Sequence, residues 1–192
     1  MQACRLSAAD LACRRGDRVL FARLSLAVES GTALHVTGAN GCGKSSLLRI
    51  LAGLLPAYAG TVVREGNAGL IDERPALDPH LPLARALAFW SALDHAATVP
   101  LERLGLGALG DVPVRYLSTG QAKRAAFARL IAQNAPIWLL DEPFNGLDDA
   151  GAGLALELTG EHLAGGGIAV IASHQPFALP GTARLALADY AT

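Results

Sequence analysis

Eight residues, Gly38-Ala39-Asn40-Gly41-Cys42-Gly43-Lys44-Ser45, limit what this chain can fold into more than any other stretch. The pattern G-x-x-x-x-G-K-[ST] carries chemical meaning only between a buried strand and a helix. Both neighbours fit. Ala33-Leu34-His35-Val36-Thr37 reads as a short buried strand, and residues 46–55 read as a helix with Leu47, Leu48, Leu51 and Leu55 on one face. Glycines let successive backbone N–H groups turn inward around phosphate oxygens where a side chain would block the approach. The helix start behind adds free N–H groups and partial positive charge. Residues Gly38 to Ser46 therefore read as a phosphate cradle, in which Lys44 holds the β- and γ-phosphates of a nucleotide and the Ser45 hydroxyl ligates Mg²⁺. Lys44 and Lys123 are the only lysines in a chain that otherwise uses arginine, so an incidental lysine in a glycine-rich turn is the poorer explanation.

Strands and helices alternate after residue 31, which predicts an α/β core. Upstream, residues 6–11, 18–21 and 24–28 read as two or three antiparallel strands, with a turn at Gly16-Asp17. Pro56 and Gly60 break the pattern after the first helix, and residues 61–64 and 68–71 then read as two strands. From Asp72 to Val114 the texture is proline-punctuated helix. Pro75, Pro79 and Pro82 lead into a helix at 83–92 with Leu83, Leu87 and Trp90 on one face, and a shorter helix is expected at 101–104. A helix at 120–133, a buried strand at 137–140, a helix at 150–163, a buried strand at 168–172 and an edge strand at 185–188 complete the chain. Residues 1–192 read as a single domain with a helical subdomain, about 74–118, inserted in it.

The apolar run at 137–140 ends in Asp141-Glu142. Adjacent carboxylates at a strand end can divide labour, the first orienting Mg²⁺ through its water shell and the second polarising an attacking water. Phosphoryl transfer needs both, because the γ-phosphate must be neutralised and the nucleophile placed in line. Leu117-Ser118-Thr119-Gly120-Gln121 opens a helix with Ser118 or Thr119 as its N-cap. A second helix start offering N–H groups to an anion is redundant in a chain that already has a phosphate cradle. It makes sense if it meets a nucleotide held by another subunit. His174 follows the strand at 168–172, at the end of a parallel sheet where ligands collect. There it can donate one hydrogen bond and accept another as a γ-phosphate sensor or aide to the water.

A net charge of −1 argues against a nucleic-acid surface. No apolar run approaches the length that spans a bilayer, and Met1-Gln2-Ala3-Cys4-Arg5-Leu6 lacks a basic region followed by a secretory core. Cys4, Cys13 and Cys42 read as reduced thiols of a cytosolic chain, odd in number and without a close pair. Cys42, within the loop, reads as a small neutral filler, with a thiol whose oxidation blocks ATP as the alternative.

In order and spacing, Gly38 to Ser45, Leu117 to Gln121, Ile137-Trp138-Leu139-Leu140-Asp141-Glu142-Pro143, Gly146-Leu147-Asp148 and Ser173-His174 resemble the motifs of an ABC-transporter ATPase. They correspond to its Walker A, signature, Walker B, D-loop and switch histidine, over essentially the whole chain. The resemblance implies a P-loop NTPase core of ABC-ATPase type with an amino-terminal antiparallel β subdomain and a short inserted helical subdomain. It also implies ATP and Mg²⁺ as cofactors, and a head-to-tail homodimer with two composite ATP sites. Ser118, Gly120 and Gln121 of one subunit then close over the phosphates held by Lys44 of the other, with Asp148 across the interface. Glu142 and His174 become the catalytic pair, and integral membrane permease subunits the further partners; the change of texture at residues 73–95 makes that stretch the expected docking surface. Within the class, the short length, Phe89-Trp90, Trp138 and His174-Gln175-Pro176 resemble the ATP-binding subunit of the cytochrome c maturation haem exporter. That implies a peripheral subunit on the cytoplasmic face of the bacterial inner membrane, coupled indirectly to a periplasmic haem chaperone.

Two positions depart from the general pattern. Glu73 stands where a glutamine usually ends the strand leading to the helical subdomain; a carboxylate there can ligate metal but repels the γ-phosphate when ionised. Arg15 falls where an aromatic usually stacks on adenine, and an arginine plane can stack on a base too. Other P-loop classes fit less well. A soluble kinase has no use for Leu117 to Gln121 followed by Asp141-Glu142, a chromosome-maintenance ATPase needs long heptads absent here, and a binding-only module needs no intact hydrolytic set.

Overall fold

The computed structural model describes residues 4–93 and 101–192. Met1 to Ala3 of the amino-terminal stretch lie outside the described residues, as do 94–100, which include part of the expected helical insertion and the end of the expected docking stretch.

Two sheets enclose one helix. Strands β1 (Arg5–Arg15), β2 (Arg18–Glu29) and β4 (Ala59–Glu65) form an antiparallel sheet in the order β2-β1-β4. Strands β3 (Ala33–Thr37), β5 (Ala68–Ile71), β6 (Ile137–Asp141), β7 (Ile168–Ala172) and β8 (Thr182–Ala186) form a parallel sheet in the order β5-β6-β7-β3-β8. Helix α1 (Lys44–Ala52) contributes Leu47, Leu48 and Leu51 to the core that Leu6, Leu11 and Phe21 of the antiparallel sheet share with the parallel one. The opposite face of the parallel sheet carries α2 (Leu83–Leu93), α3 (Thr119–Gln133) and α4 (Asp149–Ala164). Alternate residues of β6 serve the two cores, Ile137 and Leu139 on one side, Trp138 and Leu140 on the other. Burial on both faces is why that strand is a continuous apolar run.

The expected α/β class and antiparallel amino-terminal sheet are both present. The local differences have physical causes. The strands expected at 18–21 and 24–28 are one strand, β2, bent where Arg23 takes a left-handed φ of 56° and breaks the alternation. Helix α1 ends earlier than its apolar pattern, at Ala52, because Gly53 (φ 78°) returns its N–H to the Arg49 and Ile50 carbonyls. Leu55 is therefore beyond the helix, though still packed on the core. The short helix expected at 101–104 is a 3-10 turn, and the last edge strand ends at Ala186, with Leu187–Tyr190 forming another such turn. The two strands expected at 61–64 and 68–71 exist but belong to different sheets.

At the sheet end away from the phosphate loop, the His162 ring of α4 stacks on Trp138 with centroids 4.0 Å apart, and its Nε2 lies 3.1 Å from the Ile168 carbonyl. Gly167 leaves room for the ring, since a Cβ there would overlap it. Burial lowers the His162 pKa below 6.5, outweighing the Ile168 and Pro136 carbonyls that favour the charged ring. The unfolded chain thus takes up this proton first as pH falls. Stability from the neutral ring is present above about pH 6.5 and drains away as pH drops toward the lowered folded value. Urea midpoints measured between pH 7.5 and 5.5 should fall in the wild type and fall less steeply in His162→Phe, which keeps a stacked ring. Parallel profiles for the two proteins would contradict this assignment.

Candidate active site

The phosphate loop leaves β3 at Thr37 and enters α1 at Lys44. Gly43, the residue before the helix, has φ 114°, and a Cβ on it would come 3.2 Å from the Phe21 ring, so glycine is needed for both conformation and space. Ala39, Asn40 and Gly41 are exposed, whereas Lys44 is 7% exposed. Its Nζ donates to the Gly38 carbonyl at 2.8 Å and the Ala39 carbonyl at 3.3 Å.

A cleft of about 310 Å³ lies over this loop. Asn40, Gly41, Gly43, Lys44 and Ser45 line one wall, and Glu73, Asp141, Glu142, Asn145 and His174 line the other. The strand ends place the second wall. Asp141 closes β6, buried beside the Ser45 hydroxyl. Burial raises its pKa and the Ser45 hydroxyl pulls it down, while Glu142 and Asp72 push it up and Arg49 down. Glu142 takes a left-handed φ of 46°, and its N–H donates to the Ala172 carbonyl at 2.8 Å, fixing it between the ends of β6 and β7. A strained backbone held by its surroundings is a frequent companion of function. Glu142 Oε2 is 2.9 Å from His174 Nδ1, and Oε1 is 3.9 Å from Lys44 Nζ. The His174 turn is braced by Ser173, which is buried and whose Oγ accepts from the Gln175 N–H at 3.0 Å. One carboxylate thus faces the loop lysine and the histidine together.

Other expected site residues sit elsewhere. Ser118 caps α3, its Oγ accepting from the Gln121 N–H at 3.2 Å while Gln121 Oε1 accepts from the Ser118 N–H at 2.8 Å. This reciprocal box holds the helix start open to solvent, outside the cleft of its own chain. Gly120 packs so closely on the loop after β6 that a Cβ would lie 3.0 Å from the Gly146 carbonyl. Asp148 caps α4 by accepting from the Gly151 N–H at 2.8 Å. The Ser46 hydroxyl rests against the Cys13 thiol, and Cys42 Sγ packs under Gly38; neither side chain lines the cleft. Arg15 is exposed at the β1–β2 hairpin and does not line it either.

Sequence reasoning missed two residues here. Asn145 lines the cleft and accepts from Gln175 Nε2 at 3.3 Å; an amide in the loop just after paired carboxylates was its one signal. Lys123 of α3 is 9% exposed and lines an adjoining cavity of about 300 Å³, together with Asp72, Glu73, Thr119, Glu142 and Asn145. Burial lowers its pKa, and Asp141, Asp72, Glu142 and Glu73 each raise it. Its signal was the rarity of lysine in this chain.

Residues 21–145 match the family described as ABC transporter. The chain belongs to that family. It is an ATP-binding subunit, and ATP hydrolysis is its activity. The chain is 58% identical, over 99% of its own length and 99% of the relative's, to the cytochrome c biogenesis ATP-binding export protein CcmA of Novosphingobium aromaticivorans. To the protein so named in Zymomonas mobilis it is 49% identical, covering 98% of this chain and 83% of that one. An ABC transporter ATP-binding protein from Pyrococcus furiosus superposes with a TM-score of 0.82 over 98% of this chain and 100% of the other, at 21% identity, a likeness of fold. ABC ATPases generally work as homodimers with membrane permease subunits. Among the described residues, no helix of this ABC ATPase is long and apolar enough to cross a membrane.

Proposed function

We propose that this ATPase powers haem export, or haem release to a periplasmic haem chaperone, during cytochrome c biogenesis. It does so as a homodimer seated on permease subunits at the cytoplasmic face of the bacterial inner membrane. The near-full-length identity of 58% to a cytochrome c biogenesis export ATPase supports the pathway. The observation that carries the chemistry is Glu142, held 2.9 Å from His174 and 3.9 Å from Lys44.

In this reading Gly38 to Ser46 and Lys44 grip the triphosphate, and Ser118, Gly120 and Gln121 of the second subunit cover it. Glu142 accepts from the attacking water and aims it at the γ-phosphate, and His174 orients Glu142 and donates to a γ-oxygen. The donor set suits Mg²⁺: a hydroxyl and a buried carboxylate meet at Ser45 and Asp141, all oxygen, as a hard cation requires. Ser45 and Asp141 would hold it, with Glu73 within reach of the same cleft, and bound there it neutralises phosphate charge. Exposed Phe89, Leu93 and Tyr116 on the helical insertion are apolar surface suited to a permease.

The pathway is tested by replacing the chromosomal gene with a Glu142→Gln allele and staining membranes for covalently bound haem. Loss of c-type cytochromes with b-type haemoproteins retained is the expected result. Unchanged c-type haem would remove the pathway while leaving the ATPase chemistry standing. Co-purification of an integral permease from native membranes checks the assembly.

A further inference from the structure

His174 stands 2.9 Å from Glu142 on a stretch of chain without regular structure: between the end of β7 at Ala172 and the start of β8 at Thr182 there is neither helix nor strand. Such a segment has no ladder to fix it, so its position depends on the bonds that individual peptide groups and side chains find.

Strand β3, which runs on into the phosphate loop, supplies that hold. It clamps Ser173 at both of its backbone polar groups. The Ser173 N–H donates to the Val36 carbonyl at 3.4 Å, and the Ser173 carbonyl lies 3.0 Å from Nε2 of His35. A carbonyl can only accept, so the His35 ring donates through Nε2–H. That carbonyl shares one planar peptide unit with the His174 N–H, which points the opposite way and donates to Glu142 Oε2 at 3.4 Å. Fixing one end of a rigid plane fixes the other.

A second contact acts in the same direction. The His35 ring packs on Phe177 with centroids 4.4 Å apart, and Phe177 packs on Phe144 at 5.4 Å. Phe144 is buried in the loop that follows Glu142. The row of rings ties β3 to the segment carrying His174 and to the loop carrying Glu142. On this face of the sheet the neighbours Ala33 and Ile171 belong to an apolar core, so packing alone would be served by an apolar side chain. Only a donor of this reach meets the Ser173 carbonyl.

We propose that His35 is a positioning residue for ATP hydrolysis, its Nε2–H holding the Ser173–His174 peptide so that His174 stays on Glu142. This rests on the reading of Glu142 and His174 as the hydrolytic pair. His35 does not line the phosphate cleft and touches no reacting atom; it acts through one peptide group. The strand whose end grips the triphosphate thereby also sets the histidine on the far wall.

The test uses the purified full-length chain, reading kcat and KM for ATP with Mg²⁺ and the thermal midpoint of each variant. His35→Phe keeps a ring against Phe177 and loses the donor; kcat should fall about three- to tenfold, the worth of one hydrogen bond, with KM within about twofold of the wild type. His35→Gln places an N–H the same number of bonds from the backbone and gives up the ring; its kcat should stay within about twofold of the wild type. In a His174→Ala background, His35→Phe should cost no further turnover, because the group it positions is gone. Wild-type kcat in His35→Phe, an equal loss in His35→Gln, or further loss in the His174→Ala background would each overturn the proposal. So would a KM that rises in step with the fall in kcat, which would place the effect in the phosphate loop, or loss of fold in His35→Phe, which would show a structural role. Wild-type turnover in both Glu142→Gln and His174→Ala would instead remove the parent reading, and this inference with it.

Discussion

Glu142→Gln is expected to stop turnover and keep ATP. The wild-type carboxylate sits 2.9 Å from His174 and 3.9 Å from Lys44, on a backbone pinned by the Ala172 carbonyl. Glutamine preserves size and one acceptor oxygen but not the charge that polarises water, so hydrolysis should fall by about 10²–10⁴-fold, the usual contribution of a placed general base. Binding should hold or tighten, because one negative charge leaves the neighbourhood of the phosphates. Closure of the dimer depends on nucleotide bridging Lys44 of one subunit and Ser118 of the other, and slow hydrolysis prolongs that state. The variant should therefore elute as a dimer with Mg²⁺ and ATP and as a monomer with ADP. Hydrolysis within tenfold of the wild type would shift the water-positioning role to another residue. A monomer carrying bound ATP would contradict the composite site.

Different parts of this molecule were legible to different degrees, for reasons of locality. The phosphate loop is a contiguous pattern whose glycine requirements are local; Gly43 needs its φ of 114° whatever packs around it. The buried strands β6 and β7 also announce themselves, because burial on both faces leaves no polar alternation. Asp141, Glu142 and His174 could be read because each ends or follows such a strand. What escaped depends on the third dimension. Asn145 reaches the cleft only because the loop after β6 turns back over it. Lys123 faces carboxylates from β5, β6 and their loops across a helix–sheet boundary that sequence spacing does not encode. The bend at Arg23 interrupts the period-two pattern of β2 without ending its hydrogen bonding, so one strand reads as two. Arg15, read from the family pattern as an adenine-stacking residue, stands exposed at the β1–β2 hairpin, outside the lining of the phosphate cleft.

Lys44→Ala should fail one step earlier than Glu142→Gln, at binding. Among the described residues, Lys44 is the only lysine or arginine lining the cleft, and its Nζ already lies among three acceptors, the Gly38 and Ala39 carbonyls and Glu142. A triphosphate can draw on that ammonium without reorganising the buried stem. Remove it, and the phosphates meet Glu73, Asp141 and Glu142 with no lysine among them. Charge-assisted hydrogen bonds contribute about 1.5–3 kcal/mol each, so losing those to the β- and γ-phosphates should weaken ATP binding by about 10²-fold or more. Titration calorimetry with Mg²⁺ and ATP reads this directly. The discriminating comparison is the double variant Lys44→Ala/Glu142→Gln. If Lys44 acts in binding and Glu142 only in hydrolysis, the double variant should bind as poorly as Lys44→Ala and form no ATP-dependent dimer, since closure needs nucleotide in place first. A double variant that still dimerises with ATP would show that closure draws its energy from subunit contacts instead, and the loop would lose its place as the driver of the dimer.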